Sequence, residues 1–143
     1  MEIKTDLNSE DSSQLAEFLL MVLDQQQEHF FPDYQTIDKS VALAAYSGTE
    51  LVGGLLGKIS DQSLNVSLLA IDPKHQKDGL GSQLIEEVEK IAAKNQVINL
   101  LLSTRSYQAL AFYQKNNFEI YGELKDMPFR GVDTYYLVKR LIA

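Results

Sequence analysis

His75-Gln76-Lys77-Asp78-Gly79-Leu80-Gly81-Ser82 is the stretch whose reading decides the fold of this chain. An extended apolar run, Val66 to Ile71, leads into it and is broken by Asp72-Pro73. After it, Leu84-Ile85-Glu86-Glu87-Val88-Glu89-Lys90-Ile91-Ala92-Ala93 places apolar residues at helical spacing. The order is therefore strand, turn, glycine loop, helix. The first turn of a helix has backbone N–H groups without intrahelical partners. The helix dipole adds roughly +0.5 charge at that end, which favours phosphate oxygens. Glycine lets the backbone approach such a ligand and adopt positive φ. A dinucleotide fingerprint would need a further glycine where Leu84 stands, and a P-loop would need Gly-Lys-Ser/Thr where the chain has Gly81-Ser82-Gln83. Both nucleotide readings fail. On spacing alone, a turn that merely caps a surface helix stays open beside a phosphate-binding loop.

At 143 residues with 45% apolar and 23% charged content, the chain reads as a single domain, 1–143, with its own core. No apolar run reaches the roughly 18 residues of a membrane span, and no basic segment followed by an apolar one opens the chain. The expectation is a cytoplasmic protein without membrane attachment. The absence of cysteine excludes a disulfide framework, a thiolate metal site and a cysteine nucleophile, and no metal is expected. The net charge of −7 is uneven: twelve acidic and three basic residues up to Asp72, eight acidic and ten basic beyond it. Overall acidity argues against a nucleic-acid partner. The less acidic second half suits an anionic cofactor and the acidic first half a cationic substrate; a charge that serves solubility alone fits equally well.

In chain order, Met1 to Thr5 reads as an edge strand. Ser9-Glu10-Asp11-Ser12 is an N-cap cluster with Ser9 and Ser12 as candidate caps. A helix from about Asp11 to Gln27 carries Leu15, Phe18, Leu19, Val22 and Leu23 as core contacts. Gln25 to Tyr34 is rich in aromatics and either packs over the core or lines a cleft. Val41–Tyr46 and Leu51–Ile59 form a hairpin about Ser47-Gly48-Thr49-Glu50, and Gly53, Gly54 and Gly57 mark a bulge or a close neighbour. Leu64–Ile71 is the central strand. After the glycine-loop helix, which ends near Asn95, Val97–Ser103 reads as a buried strand and Tyr107–Lys115 as a short helix. Phe118–Leu124 and Thr134–Leu141 are two more strands, separated by a loop with Pro128 and Gly131. The class is mixed α/β around one sheet. The connection through the glycine-loop helix joins two parallel strands.

Gln76-x-x-Gly79-x-Gly81, after a strand and before a helix, resembles the acyl-CoA pyrophosphate loop of the GNAT superfamily of N-acetyltransferases, Arg/Gln-x-x-Gly-x-Gly/Ala. A second constellation, Ser106-x-x-Ala109-x-x-Phe112-Tyr113 followed by Asn117-Phe118, resembles the closing motif of that family, Asn-x-x-Ala-x-x-Phe-Tyr-x-x-x-Gly-Phe. Two positions depart from it. Ser106 replaces Asn, which loses an amide but can still cap the helix. Asn117 replaces Gly and tolerates the left-handed conformation that a helix end needs. The likeness covers about residues 41 to 141. Thr104 to Tyr113, with Asp133 to Lys139, is similar to a bacterial branch of the family.

The resemblance implies a GNAT-like fold: a central, mixed but mostly antiparallel sheet flanked by helices, with a splayed central strand pair. It implies direct transfer of an acetyl group from acetyl-CoA to a primary amine of a small molecule or peptide. Gln76, Lys77, Asp78, Gly79, Leu80, Gly81 and Ser82 would bind the pyrophosphate, with the Gln76 side chain as an extra donor. Leu69, Ala70 and Ile71 would offer backbone groups to the pantetheine arm. Ser106, Ala109 and Phe112 would border the cofactor. Tyr113, which by itself reads as core, becomes the acid that protonates the leaving thiolate. A phenol of pKa ~10 facing a thiol of pKa ~8.5 must be well positioned to do so. Asp78 should point to solvent, offset by Lys74 and Lys77, and His75 should be exposed. The central strand reads Asn65-Val66-Ser67 and has no carboxylate to act as base, so a water chain, Glu28 or His29 remains for that task. Acceptor choice would lie around Gln25–Tyr34 and Lys125–Asp133. A homodimer is also compatible, with Tyr135–Leu141 as a contributing strand. A non-catalytic acyl-CoA-binding or protein-interaction module on the same fold is the rival reading.

Overall fold

The computed structural model describes residues 1–142, which divide after Gln35 into two compact units. The first holds one helix, α1, Ser9–Phe30. Its cap is Asn8 rather than either serine: the Asn8 Oδ1 accepts from the Asp11 N–H at 2.7 Å. Glu10 and Asp11 complement the dipole in the first turn. The helix runs on past Gln27 through Glu28-His29-Phe30, so six of the ten residues from Gln25 to Tyr34 are helical. No residue of α1 is buried, so the expected core role of Leu15, Phe18, Leu19, Val22 and Leu23 is not seen in this unit. A single helix has no second surface of its own on which to bury its stripe. Met1 to Thr5 forms no strand, and Ile3 is fully exposed. A strand needs a paired neighbour, which local composition does not reveal.

The second unit is built on a six-stranded sheet. Its elements are β1 (Asp38–Ser47), β2 (Glu50–Ser60), β3 (Ser63–Ile71), a 3₁₀ turn (Pro73–Asp78), α2 (Leu80–Lys94), β4 (Asn99–Arg105), α3 (Leu110–Lys115), β5 (Glu119–Leu124) and β6 (Thr134–Arg140). The strand order is β1-β2-β3-β4-β6-β5. Every neighbouring pair is antiparallel except β3 and β4, which are parallel and joined through α2. The class is mixed α/β, as the residue pattern implies. β6 lies between β4 and β5, so the strand expected to serve a dimer has no free edge; the free edges belong to β1 and β5.

α2 buries Leu84, Ile85, Val88 and Ala92 and leaves Glu86, Glu87 and Lys90 in water, the stripe its periodicity predicts. Ile85, Val88 and Ala92 join Leu55, Ile59, Leu64, Leu100 and Leu137 of the sheet, all nearly inaccessible, in one core cluster. Glu89 of α2 pairs with Lys139 of β6, whose Nζ also donates to the Asn116 carbonyl at 3.2 Å. One lysine thus ties α2, β6 and the end of α3.

β3 and β4 pair over three positions only, Ser63 with Asn99, Leu64 with Leu100 and Asn65 with Leu101. Both strands continue, to Ile71 and Arg105, without further pairing to each other. That is the expected splay, and it leaves one backbone edge of β3 uncovered by β4. β4 starts later than the sequence suggests. Gln96 adopts φ +59° and the Val97 N–H bonds to the Ala92 carbonyl at 3.0 Å, so the chain finishes the helix before it extends.

The glycines of β2 make close strand approach feasible. A Cβ on Gly54 would lie 2.5 Å from the Leu43 carbonyl oxygen, a backbone atom that no rotamer change can move. Gly54→Ala is expected to cost about 1–3 kcal/mol as an overpacking change and to lower the melting midpoint by several degrees. An unchanged midpoint would show that β1 and β2 can part there freely.

Candidate active site

Asp72 opens the 3₁₀ turn, its Oδ1 accepting from the Lys74 N–H at 2.9 Å. The turn expected at Asp72-Pro73 is a 3₁₀ turn that extends through His75 to Asp78, with Pro73 at its start. Gly79 follows at φ +76°, a left-handed position that reverses the chain into α2. The first helical bond there is from the Gln83 N–H to the Gly79 carbonyl, 3.1 Å. The N–H groups of Leu80, Gly81 and Ser82 therefore have no intrahelical acceptor. They form a donor set suited to phosphate oxygens, and a Cβ at Gly79 would meet nothing within 4 Å.

Three expected details differ. The Gln76 side chain does not stand free: its Nε2 donates to the Ile71 carbonyl at 3.2 Å and fastens the end of β3 to the turn. Asp78 is turned to solvent as expected, but its partner is His75 Nδ1 at 3.3 Å rather than a lysine, and His75 is half-buried. Lys77 is exposed on the same turn. Ala70 also changes role. The Asp72 N–H bonds to the Val52 carbonyl at 2.7 Å, which makes that pair hydrogen-bonded in the β2–β3 register. Alternation then spends the Ala70 backbone groups on Gly54 and turns those of Leu69 and Ile71 toward the splay. The Ile71 carbonyl already serves Gln76. The Leu69 N–H and C=O and the Ile71 N–H are the backbone groups left on that side.

α3 is shorter than the spacing suggests, Leu110–Lys115. The Gln108 N–H bonds to the Arg105 carbonyl and its Oε1 accepts from the Arg105 N–H, so Arg105 to Gln108 form a turn and α3 starts only after it. Ser106 is not the cap. Its Oγ accepts from the Asp133 N–H at 3.1 Å while its own N–H donates to the Asp133 carbonyl at 2.8 Å. This pins the loop before β6 to the end of β4. The Ala109 N–H goes to the Thr104 Oγ1 at 3.4 Å. Thr104, buried and polar, is a supporting residue that the motif spacing did not single out. At the far end of α3, Asn117 adopts φ +71°, as expected of a residue standing where glycine is usual. The Phe118 N–H closes the helix onto the Tyr113 carbonyl at 3.0 Å.

Tyr113 is 8% exposed and belongs to the same packed cluster as Val66 and Leu102. Those are the first residues of β3 and β4 beyond their last pair. Its ring meets Phe112 and Phe118 edge-on, with centroids at 5.1 and 5.8 Å. Burial disfavours the phenolate and raises its pKa above 10. Among the described residues its hydroxyl has no hydrogen-bond partner, yet it is not sealed from solvent. Tyr113 thus offers a neutral O–H donor, and its ring partner Phe112 sits over Gly81 at the helix start with the free N–H groups. A separate depression of about 400 Å³ lies at the other end of α2, lined by residues such as Glu89, Gln96 and Leu141, and is not part of this constellation.

A parallel pair that parts beside a glycine-opened helix is the arrangement that the resemblance to acetyltransferases implies, and comparison with known proteins agrees. Residues 38–120 match the acetyltransferase (GNAT) domain family. A blasticidin-S acetyltransferase of Streptomyces morookaense is 37% identical over 93 residues, 64% of this chain and 68% of that protein. The crystal structure of an acetyltransferase from Bacillus cereus ATCC 14579 shares 27% identity with a TM-score of 0.81, covering 99% of this chain and 98% of that one. An aminoglycoside 6′-N-acetyltransferase complexed with coenzyme A shares the fold, at 19% identity and a TM-score of 0.65, covering 95% and 93%. The chain belongs to the GNAT acetyltransferase family. Among its described residues no helix is long and apolar enough to cross a membrane.

Proposed function

We propose that this protein transfers an acetyl group from acetyl-CoA directly to a primary amine of a small, polar acceptor, with Tyr113 as the acid. The observation that carries the reading is the unpartnered hydroxyl of Tyr113, whose ring packs edge-on against Phe112, the residue that sits over Gly81 at the start of α2. The cofactor, when bound, supplies the activated thioester. The free N–H groups of Leu80, Gly81 and Ser82 take its phosphate oxygens, with Gly79 leaving the approach open. Lys77, Asp78 and Gln76 shape the turn beside them. The backbone of Leu69 and Ile71 aligns the amide-rich arm along the uncovered edge, and Ser106, Ala109 and Phe112 border it from the α3 side. The amine nitrogen forms the new C–N bond as the C–S bond breaks. Tyr113 gives its proton to the leaving sulfur, and the amine proton passes to water. β3 has no carboxylate at Asn65-Val66-Ser67, which supports a solvent route for that proton.

A small antibiotic-like amine as acceptor is supported by the blasticidin-S acetyltransferase relative and by the fold shared with an aminoglycoside acetyltransferase. The first test is a thermal melt with acetyl-CoA. At ~100-fold over Kd, binding adds about 2.7 kcal/mol, a rise of several degrees for a domain of this size. Thiol release from acetyl-CoA is then measured with blasticidin S, an aminoglycoside and a peptide amine. A melting shift without thiol release would leave a non-catalytic acyl-CoA-binding module. No shift from a folded protein would overturn the cofactor reading itself.

A further inference from the structure

The two sequence motifs meet in space at one contact. A Cβ on Gly81 would lie 2.8 Å from the Phe112 Cζ and 3.1 Å from its Cε1. The Phe112 ring therefore occupies the space that a side chain at Gly81 would fill. Gly79, two residues earlier, has no such neighbour and is explained by its positive φ alone. The other edge of the contact leads to Tyr113, whose ring meets Phe112 edge-on at 69°. α3 has only six residues and no side-chain N-cap. A helix that short does not hold itself in place, so its position is set by what it packs against.

We propose that Phe112 is a positioning residue: seated in the notch of Gly81, it registers α3 against the start of α2 and so fixes the Tyr113 hydroxyl relative to the phosphate-binding N–H groups. This rests on the reading of Tyr113 as the acid. The consequence is that occupation of the loop and alignment of the acid are mechanically linked, and a displacement at one is felt at the other. A shift of about 1 Å in a catalytic group costs on the order of 10²-fold in rate.

The test uses the full chain labelled with 3-fluorotyrosine and followed by fluorine NMR, with the Tyr113 signal identified by its loss in Tyr113→Phe. Gly81→Ala is expected to displace that signal, because the new methyl drives the Phe112 ring out of its notch. Adding Phe112→Leu to Gly81→Ala, which shortens the side chain, is expected to return the signal toward its original position. Thiol release with acetyl-CoA and blasticidin S should follow the same pattern, about 10²-fold down in Gly81→Ala and largely recovered in the double variant. In a Tyr113→Phe background, Gly81→Ala should lower kcat by a clearly smaller factor than in the original chain, a non-additivity that a merely structural contact would not produce. Should Gly81→Ala fail to fold, Phe112→Leu alone must still move the Tyr113 signal. An unmoved signal in the single variants, or no return in the double, overturns the proposal. A moved signal with full kcat in Tyr113→Phe would instead retire the acid role and leave the mechanical link standing.

Discussion

Tyr113→Phe is expected to lower kcat by roughly 10²–10⁴-fold, the range for losing a positioned general acid, while acetyl-CoA affinity stays within a few-fold of the original. The substitution removes one oxygen and keeps the ring, so the edge-on contacts with Phe112 and Phe118 survive. No hydrogen bond to a described residue is broken, because the hydroxyl has no partner there. The fold should therefore melt at nearly the same temperature, and the lost activity can be assigned to the proton rather than to the helix. The pH dependence has a definite sign. Burial raises the Tyr113 pKa above 10, so the phenol stays protonated through the neutral and moderately alkaline range. An alkaline limb of kcat due to this group must lie above the ordinary phenol value. Because the unfolded phenol ionises first, the group lowers stability as pH rises past ~10 and has no effect below it. Full kcat in Tyr113→Phe would remove the residue from the mechanism.

How much of this could be read from residues alone depends on how local each cause is. The strand, turn, glycine and helix order around Gly79 and Gly81 was legible because each step is set by its neighbours: Asp72-Pro73 stops the strand, Gly79 supplies positive φ, and Leu84, Ile85 and Val88 repeat on one face. The left-handed Asn117 was legible for the same reason. What the residues alone do not show is partners distant in sequence. The tie from Gln76 to the Ile71 carbonyl is not legible from spacing, because the strand register frees that carbonyl. Ser106 reads as able to cap α3, and nothing in the spacing announces the Asp133 it bonds instead. The Gly81–Phe112 contact joins two motifs that the sequence presents as separate. An N-terminal strand was expected from composition at Met1 to Thr5, where composition says nothing about a pairing partner.

The largest stability loss is expected for Leu64→Ala. The parallel pair β3–β4 is held by three register positions, too few for backbone bonds alone to set where the strands part. Leu64 sits at the middle of them opposite Leu100, fully buried, in the cluster formed with Ile85 and Val88 of α2. Its side chain also reaches toward Gly57, where an added Cβ would lie 3.2 Å from the Leu64 Cδ2, so β2, β3, β4 and α2 all close on this one residue. Truncation removes that packing and leaves a cavity that rigid strands on both sides cannot fill, at a cost of about 2–5 kcal/mol. Against a total stability of roughly 5–15 kcal/mol, the midpoint should fall by on the order of 10 °C. Saturating acetyl-CoA should restore part of the loss, because a ligand that binds only the folded state adds its binding free energy. Leu69→Ala, on the same strand but half-buried where β3 has left β4, should cost clearly less. Equal losses at the two positions would mean that packing does not set the point of divergence, and that the splay belongs to the backbone alone.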